Sequence, residues 1–260
     1  MGLPLAKHWI ERQWMVKGST TTPQKMATLR QESVEPFLIE CQPGGLKGER
    51  IPSFFKSDTL FLNIPFRRNF PDPGIYKEQI EAVVKQLESS AIKFLIFASS
   101  TSVYPDSLRD AREDVPFEPE TDRSRVLSAI EQSLLKNTHF DTTIIRFAGL
   151  CGGERRVGNF LAGEKNLSHG NWPVNLIHLE DCIAIVTEIL EQDIRGEIFN
   201  ACSDQHPARR ELYTQAALKM NRNPPGFEPD DKSRGKIVSN QKLKKRLKYR
   251  FQYPNPLTFP

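Results

Sequence analysis

The sequence predicts an α/β protein built on a doubly wound parallel sheet, with a smaller C-terminal lobe. Short apolar runs alternate with helical segments through residues 1–150, and this alternation is typical of parallel strands joined by helical crossovers. The run at residues 93–98 is apolar after its first residue, as expected for a central strand that is covered on both faces. The alternation then loosens, so we predict a core over residues 1–150 and a mixed lobe over residues 151–260, parts of which rejoin the sheet.

The individual elements follow the apolar pattern in chain order. Amphipathic spacing predicts helices, and short runs rich in β-branched and aromatic residues predict strands. Helices are predicted over residues 3–12, 23–31, 75–90, 125–137, 181–190, 210–220 and 242–248, the second with Thr22 as its N-cap. Strands are predicted over residues 15–17, 37–41, 59–65, 93–98, 142–150, 175–179 and 197–202, and loops over residues 18–22 and 43–48.

The composition is that of an ordinary soluble α/β protein. Of the 260 residues, 26% are charged and 38% are hydrophobic, and no apolar stretch approaches the length needed to span a membrane. The N-terminus lacks the basic and then apolar pattern of a signal peptide, so we expect a cytoplasmic protein with no membrane partner. The four cysteines are dispersed and show no spacing suited to zinc, so we expect reduced cysteines and no metal site.

The net charge of +4 is mild, and the only dense basic run lies at residues 242–248. Leu243 and Leu247 stand four residues apart in this run, and no aromatic residue is interleaved with the basic ones. Nucleic-acid surfaces commonly combine basic residues with aromatic stacking platforms. We therefore interpret the run as the solvated face of a short helix and expect no nucleic-acid partner.

Three hydroxyl residues, Ser99, Ser100 and Thr101, follow the apolar run at residues 93–98. Ligands of open parallel sheets gather outside the carboxyl ends of the strands. The three hydroxyls are therefore predicted to lie at the edge of the sheet where ligands bind and reactions are catalysed. Tyr104 follows them on the same turn.

The run Ser99–Tyr104 resembles the strand-end serine signature of the extended short-chain dehydrogenase/reductase family, which is typified by nucleotide-sugar epimerases and dehydratases. The similarity to an atypical, epimerase/dehydratase-like branch of this family covers nearly the whole chain, with matching segments in order at Arg146–Leu150, Val174–Asp181, His206–Arg209 and Tyr253–Pro256. The resemblance implies a Rossmann-like doubly wound parallel sheet with a smaller C-terminal substrate lobe, an NAD(P) cofactor, and a small-molecule substrate such as a nucleotide sugar. It also implies that Ser99, Ser100 or Thr101 holds the reacting oxygen as a catalytic residue, and it allows a homodimer.

The expected dinucleotide fingerprint is incomplete. In the resembling family a first strand leads into a G-x-G-x-x-G turn and a helix whose N-terminus faces the pyrophosphate. Gly2 matches the third glycine alone, so Gly2 and Leu3 are cofactor candidates, and the strand and the two glycines before them are absent. Either Met1 is an internal residue of a longer reading frame, or the chain is truncated and binds cofactor poorly or not at all. We favour the first, because a sheet without its central strand would expose unpaired backbone and apolar faces.

The end of the second strand carries the residues Ser19, Thr20 and Thr21. NAD-binding proteins place an acid at this position, whereas NADP-binding proteins use small polar or basic groups for the 2′-phosphate. The absence of an acid makes these hydroxyls cofactor candidates and gives NADP a slight preference. The same residue types also cap helices, and this alternative stays open.

The strand predicted over residues 59–65 ends in Asn63, Ile64 and Pro65. In the resembling family this strand end passes beside the adenosine ribose and pyrophosphate, which makes the three residues cofactor candidates. Alternatively, they mark only a strand that terminates at a proline.

The catalytic pair of the family is missing. That pair is a Tyr and a Lys spaced Y-x-x-x-K, in which the ammonium lowers the pKa of the phenol so that it exchanges a proton with the substrate oxygen. Counting back from Glu131 places Arg123 at the Tyr position and Leu127 at the Lys position. Leu127 carries no charge and Arg123 keeps its proton near neutral pH, so neither replaces the pair. The segment Asp122–Leu127 instead resembles an atypical branch of epimerase/dehydratase-like proteins that has lost it.

Two functions therefore stay open. The first is an enzyme with redox or epimerase/dehydratase-like chemistry on a nucleotide-linked or otherwise anionic small molecule. The second is a non-catalytic dinucleotide sensor or scaffold. The missing Tyr and Lys favour the second function, whereas the hydroxyl cluster and the loop arginines favour the first.

The predicted substrate-binding residues are Tyr104, Arg155 and Arg209. Arginines in matching loops clamp nucleotide diphosphates in the resembling families, although exposed loop arginines are as often only solvated. Tyr104 lies close to the hydroxyl cluster in sequence, although an aromatic residue at such a turn more often packs beneath the loop. His178 and Asp181 form a candidate pair that we interpret as architectural rather than catalytic.

Overall fold

The computed structural model describes residues 1–66, 72–229 and 235–259. The helices in these ranges are α1 (Gly2–Glu11), α2 (Lys25–Gln31), α3 (Ile51–Phe54), α4 (Gly74–Glu88), α5 (Asp122–Leu135), α6 (Leu179–Glu191), α7 (Arg209–Lys219) and α8 (Gln241–Leu247). The strands are β1 (Lys17–Thr20), β2 (Glu35–Gln42), β3 (Gly45–Gly48), β4 (Thr59–Leu62), β5 (Phe94–Ser100), β6 (Asp110–Ala111), β7 (Asp141–Phe147), β8 (Gly149–Cys151), β9 (Leu176–His178), β10 (Ile198–Ala201) and β11 (Ile237–Val238).

The strands pair mostly in parallel, as the predicted class requires. One sheet has the order β1–β2–β3, and in it β1 is parallel to β2, with Thr20 opposite Leu38. A second sheet has the order β10–β7–β5–β4, and in it β4 is parallel to β5, with Leu62 opposite Phe97. Strands that are neighbours in space but not in sequence need crossover connections. This order confirms the doubly wound α/β class.

The chain divides into two compact units. The first unit contains Met1–Ser99, Thr121–Ile144 and Ile189–Glu197, and the second contains Ser100–Glu120, Ile145–Glu188 and Ile198–Pro260. Each unit combines segments that are distant in sequence, because the chain leaves the first unit after Ser99 and returns to it twice. The sequence-based division at residue 150 stays a prediction about domains.

The core of the first unit is built on β5. Phe94, Leu95, Ile96 and Phe97 are each at most 1% exposed, as expected for a strand that is covered on both faces. Leu127 of α5 is 2% exposed and belongs to the same unit. The position that a catalytic lysine would occupy in the resembling family therefore carries a core side chain.

Strands β1 and β4 are the end strands of their sheets, so each pairs on one side only among the described residues. Helix α1 contacts β1, and Trp9 of α1 lies edge-on to Phe61 of β4 with ring centroids 6.4 Å apart. Helix α1 therefore contacts the end strand of each of these two sheets.

The segment predicted as a loop over residues 18–22 is partly a strand. β1 continues through it to Thr20 because its backbone pairs with β2. Gly18 lets the side chain of Val34 pack closely against the strand, since a Cβ there would lie 2.8 Å from Cγ1 of Val34. The predicted N-cap at Thr22 is also wrong, because α2 begins further along the chain and its N-cap residue makes no side-chain capping bond.

The predicted loop over residues 43–48 contains β3, which forms an antiparallel hairpin with β2. Gln42 lies opposite Gly45, so Pro43 and Gly44 form the turn between the two strands. Gly44 has a φ of +81°, and a proline followed by a glycine with positive φ is typical of a type II turn. The strand was not predicted because two glycines and a lysine leave no apolar alternation to recognise.

Candidate functional site

The carboxyl ends of β4 and β5 lie at one edge of the first unit, because the two strands pair in parallel. Asn63, Ile64 and Pro65 directly follow β4, and Ser99 lies at the end of β5. The structure therefore brings the predicted cofactor segment and one predicted catalytic hydroxyl to the same edge. In open parallel sheets this edge is where ligands bind.

A buried carboxylate holds the side chain of Ser99. Its Oγ donates a hydrogen bond to Oε1 of Glu131 in α5, and the two residues are 7% and 2% exposed. Sequence reasoning used Glu131 only to align the helix and missed this contact. The available signal was a charged residue on the buried face of the helix, between Leu127 and Leu134. The contact gives the hydroxyl of Ser99 a defined orientation.

The other two predicted catalytic hydroxyls, Ser100 and Thr101, belong to the second unit. Ser100 is the N-cap of a short 3₁₀ turn over Thr101–Val103, and its Oγ accepts a hydrogen bond from Ser102 N at 3.1 Å. Thr101 is 6% exposed. The catalytic role of all three hydroxyls stays a prediction.

The segment after β4 is held by a cluster of Tyr76, Phe66 and Arg123, which we call the Phe66 cluster. The rings of Tyr76 and Phe66 stack with centroids 4.1 Å apart and planes 7° from parallel, and the guanidinium carbon of Arg123 lies 3.8 Å from the Phe66 centroid. Arg123 also donates from Nη2 to the carbonyl oxygen of Phe66, and the hydroxyl of Tyr76 donates to the carbonyl oxygen of Ile64 at 3.2 Å. Burial raises the pKa of Tyr76 despite the nearby Arg123, so the phenol stays protonated and keeps its donor.

The remaining predicted cofactor residues lie at the start of α1 and the end of β1. Gly2 is exposed, and a Cβ built on it would meet no heavy atom within 4 Å, so there is open space beside the first turn of α1, where Leu3 follows. Ser19 and Thr21 are exposed, whereas Oγ1 of Thr20 accepts a hydrogen bond from a backbone N–H two residues further on. Exposed hydroxyls and an open helix start are compatible with phosphate groups.

Tyr104, predicted to bind substrate, lies in the interior of the second unit and is 2% exposed. Its hydroxyl donates to Oδ1 of Asn200 at 3.0 Å and accepts from Nη1 of Arg146 at 2.6 Å. Its carbonyl oxygen accepts from Nζ of Lys236 at 2.7 Å. Burial raises the pKa of the phenol although Arg146 opposes this shift. This placement fits the packing interpretation of Tyr104 better than contact with substrate.

The polar network around Tyr104 was not predicted. Asn200 extends it, because its backbone N–H donates to Oε1 of Glu113 at 2.7 Å and its Nδ2 donates to the carbonyl oxygen of Ala111 at 3.1 Å. Burial raises the pKa of Glu113 above its ordinary value. The signal in the sequence was the presence of Arg146 and Asn200 next to apolar residues in predicted strands, since buried polar groups need partners.

The two predicted substrate arginines are held by their own unit. Nε of Arg155 donates to the carbonyl oxygen of Leu150 at 3.0 Å, and its guanidinium carbon lies 5.7 Å from the ring centroid of Phe160. Nη1 of Arg209 donates to the carbonyl oxygen of Ser168 at 2.8 Å. Both guanidinium groups are therefore oriented rather than only solvated, and contact with substrate stays a prediction.

The candidate His178–Asp181 pair serves the architecture of the second unit. Asp181 is fully buried and accepts hydrogen bonds from the hydroxyl of Tyr249 at 2.7 Å and the backbone N–H groups of Gln252 at 2.8 Å and Tyr253 at 3.1 Å. His178 is 3% exposed, its ring lies 3.8 Å from that of Tyr253, and its Nε2 has no hydrogen-bond partner. Burial lowers the pKa of His178.

Within the described ranges, no group of three or more His, Cys, Asp and Glu side chains is placed to hold a metal ion. No helix among the described residues is both long and apolar enough to cross a membrane. All four cysteines are free thiols, and burial raises the pKa of Cys151 to about 12. A buried thiol with a raised pKa is a poor nucleophile, which fits the predicted structural role of the cysteines.

The chain shares its fold with solved proteins of the short-chain dehydrogenase/reductase superfamily, among them a nucleotide-sugar epimerase. UDP-glucuronic acid 4-epimerase from Bacillus cereus, solved in complex with NAD, matches with a TM-score of 0.77 and 15% identity over 98% of this chain and 90% of that chain. A short-chain dehydrogenase/reductase superfamily protein from Agrobacterium tumefaciens with bound NAD matches with a TM-score of 0.75 and 15% identity over 96% and 88% of the two chains. At such identities the likeness shows the fold.

No family model matches the chain. It is 34% identical over 262 residues to Protein YeeZ of Escherichia coli (strain K12), across 100% of this chain and 95% of that protein. The chain therefore belongs to the family of Protein YeeZ.

Proposed function

We propose that the chain is an NAD(P)-binding, atypical short-chain dehydrogenase/reductase. The observation that supports this most is the edge of the first unit where Asn63–Pro65, held by the Phe66 cluster, lies beside the end of β5. The exposed hydroxyls of Ser19 and Thr21 and the open space at Gly2 would hold the ribose and phosphate groups. Solved proteins of the same fold are named as NAD complexes, which supports the same cofactor here.

The cofactor we favour is NADP, by a small margin. An adenosine 2′-phosphate carries negative charge, and NAD-binding proteins exclude it with a carboxylate at the end of the second strand of the fold. β1 ends instead in the uncharged residues Ser19 and Thr20, and the uncharged Thr21 follows it. Hydroxyl groups at this position accept either dinucleotide and do not repel the phosphate.

The reaction we propose is redox or epimerase/dehydratase-like chemistry in the cytoplasm, on a nucleotide-linked or otherwise anionic small molecule. A bound nicotinamide would supply hydride transfer. The hydroxyl of Ser99 donates to Glu131, so it would accept a hydrogen bond from the reacting alcohol group of the substrate. Arg155 and Arg209 belong to the second unit, and we propose that they attract an anionic ligand group there. The fold also occurs in a UDP-glucuronic acid 4-epimerase, which supports a nucleotide sugar as the substrate class.

A non-catalytic dinucleotide sensor or scaffold is the second candidate function. This function is favoured by the residues that stand at the catalytic positions of the resembling family. Leu127, at the Lys position, is buried, and Arg123, at the Tyr position, is hydrogen-bonded to Phe66. Neither residue can donate or accept a proton near neutral pH. A sensor needs only the cofactor edge and would keep the fold without turnover.

The helices α4 and α5 offer a surface for a homodimer. They form a groove of about 410 Å³ in the first unit, with Ile80, Val84, Ile130 and Leu134 among its lining residues. Its charged lining alternates in sign along α4, in the order Lys77, Glu81, Lys85 and Glu88. If α4 of a second copy packs here in antiparallel orientation, Lys77 of one copy faces Glu88 of the other and Glu81 faces Lys85. Opposite charges would then lie against one another.

Turnover separates the two candidate functions. Wild-type protein that binds NADPH or NADH and converts a member of a panel of nucleotide sugars is an enzyme. Binding without conversion of any panel member identifies the sensor, and failure to bind either dinucleotide overturns the proposal.

A further inference from the structure

We propose that Arg123 is a positioning residue for dinucleotide binding, because it fixes the chain segment Asn63–Phe66 at the carboxyl end of β4. This inference rests on the proposed cofactor site and assigns a role to the position that carries the catalytic tyrosine in the resembling family. Arg123 performs no proton transfer in this role. It acts through Phe66.

The segment after β4 is anchored from two helices of the first unit. Tyr76 of α4 donates to the carbonyl oxygen of Ile64 at 3.2 Å, and Arg123 of α5 donates to the carbonyl oxygen of Phe66. The ring of Phe66 stacks on Tyr76 and lies 3.8 Å from the guanidinium carbon of Arg123. Two backbone carbonyls and one ring of a segment without regular secondary structure are thereby fixed, and Asn63–Pro65 cannot move independently of them.

A fixed segment binds a ligand more tightly than a mobile one. Ordering a loop when a ligand binds costs conformational entropy, and a segment that is ordered beforehand avoids this cost. Loss of the contacts of Arg123 in the Phe66 cluster should therefore weaken the binding of any ligand that lies against Asn63–Pro65. Arg123 need not contact that ligand itself. The effect should appear in the dissociation constant.

The geometry requires arginine at this position. A guanidinium is planar, so it can lie near an aromatic face while one of its N–H groups donates to a carbonyl oxygen. A lysine ammonium is a compact point charge, so it can either lie over the ring of Phe66 or donate to its carbonyl oxygen, but not both. Arg123→Lys should therefore retain part of the function, and Arg123→Met should retain only apolar packing against Phe66.

Arg125 provides a matched control on the same helix. It is exposed, and its Nη2 bonds Oδ1 of Asp122 at 2.8 Å. Arg125→Met removes the same charge from the same helix without touching Phe66. A second control, Ile92→Val, lowers the stability of the first unit by trimming a buried side chain that belongs to none of the proposed contacts.

The experiment measures the dissociation constants of NADPH and NADH by fluorescence, together with the melting temperature, for the wild type and these variants. We expect Arg123→Met to weaken binding about tenfold, Arg123→Lys to lie between it and the wild type, and Arg125→Met to bind as the wild type does. Proteolytic cleavage within the segment Asn63–Phe66 should be faster in Arg123→Met than in Arg125→Met. This readout remains available if the affinity of the variant is too low to measure.

Two outcomes would overturn the inference while leaving the proposed function intact. One is a wild type that binds dinucleotide and an Arg123→Met variant that binds it equally well. The other is an Ile92→Val variant with the same loss of melting temperature and the same loss of affinity, which would reduce Arg123 to a general stabilising residue. A wild type that binds no dinucleotide would instead contradict the proposed function itself.

Discussion

Ser99 donates its hydroxyl hydrogen bond to the carboxylate of Glu131, and both side chains are buried in the first unit. The hydroxyl at the end of β5 is thereby tied to the face of α5 that covers the core. The same helix presents Arg123 to the segment after β4. Helix α5, which lacks the catalytic Tyr and Lys of the resembling family, therefore orients both Ser99 and the segment after β4.

Replacing Ser99 by alanine should lower the free energy of unfolding. The buried carboxylate of Glu131 loses a donor, and removing one partner of a buried hydrogen bond costs about 1–3 kcal/mol. Urea unfolding followed by circular dichroism measures the change. Ser133→Ala, at an exposed position on the same helix, should stay within about 0.5 kcal/mol of the wild type. Equal effects of the two substitutions would show that the contact with Glu131 contributes nothing to stability.

The buried His178 should make the protein less stable in mild acid. Burial lowers its pKa in the folded state, while nearby Glu180 and Asp181 oppose this shift. The unfolded chain therefore binds a proton more readily, so stability is retained above about pH 6.5 and falls as the pH drops from there through the lowered folded pKa. His178→Phe should show a shallower fall in the free energy of unfolding between pH 7 and pH 5, measured by urea titration.

The control for this pH effect is Ile177→Val, which trims the fully buried neighbour of His178 without removing a titrating group. It should lower the free energy of unfolding and leave its pH slope unchanged. His8 and His206 also have lowered pKa values, so part of the wild-type slope should persist in His178→Phe. A slope that is identical in the wild type and in His178→Phe would contradict the prediction.

Much of the fold was predictable because the strongest patterns coincide with its most buried elements. Phe94–Phe97 forms an apolar run because both faces of β5 are covered, and the spacing of Ile80, Val83 and Leu87 reports the buried face of α4. β3 was missed because backbone pairing and a glycine turn determine it, with little contribution from side chains. Residues 18–20 became a strand for the same reason.

The site was less predictable than the fold. Ser99, Asn63, Ile64 and Pro65 could be placed at strand ends from the sequence, because strand ends follow from hydrophobic pattern. Their partners could not, since the contact between Ser99 and Glu131 spans 32 positions and that between Arg123 and Phe66 spans 57. Such contacts are set by how helices pack on the sheet, which no local pattern reports.

An acid at the end of β1 should change the cofactor preference. Ser19→Glu places a negative charge where we propose that the adenosine ribose lies. It should weaken the binding of NADPH about tenfold or more and leave the affinity for NADH unchanged or higher. Ser19 is exposed, so the fold should tolerate the change. Thr138→Glu adds the same charge at another exposed position and should alter neither affinity. Equal loss of both dinucleotides in Ser19→Glu would contradict the placement of the 2′-phosphate.

A charge exchange on α4 tests the homodimer. We expect the wild type to be dimeric by light scattering, and we expect Glu81→Lys and Lys85→Glu each to weaken the dimer by placing like charges against one another. The double variant E81K/K85E restores opposite charges across an antiparallel α4 pair and should recover dimerisation. A monomeric wild type, or a double variant no better than the single ones, would exclude this surface.

The cofactor site is tested most directly by a fluorescence titration of the wild-type chain with NADPH and NADH. We predict saturable binding of one dinucleotide per chain, with NADPH bound slightly more tightly than NADH, and weaker binding when Arg123 is replaced by methionine. The absence of a saturable signal with either dinucleotide, from folded protein, would contradict the claim that this edge of the sheet is a cofactor site.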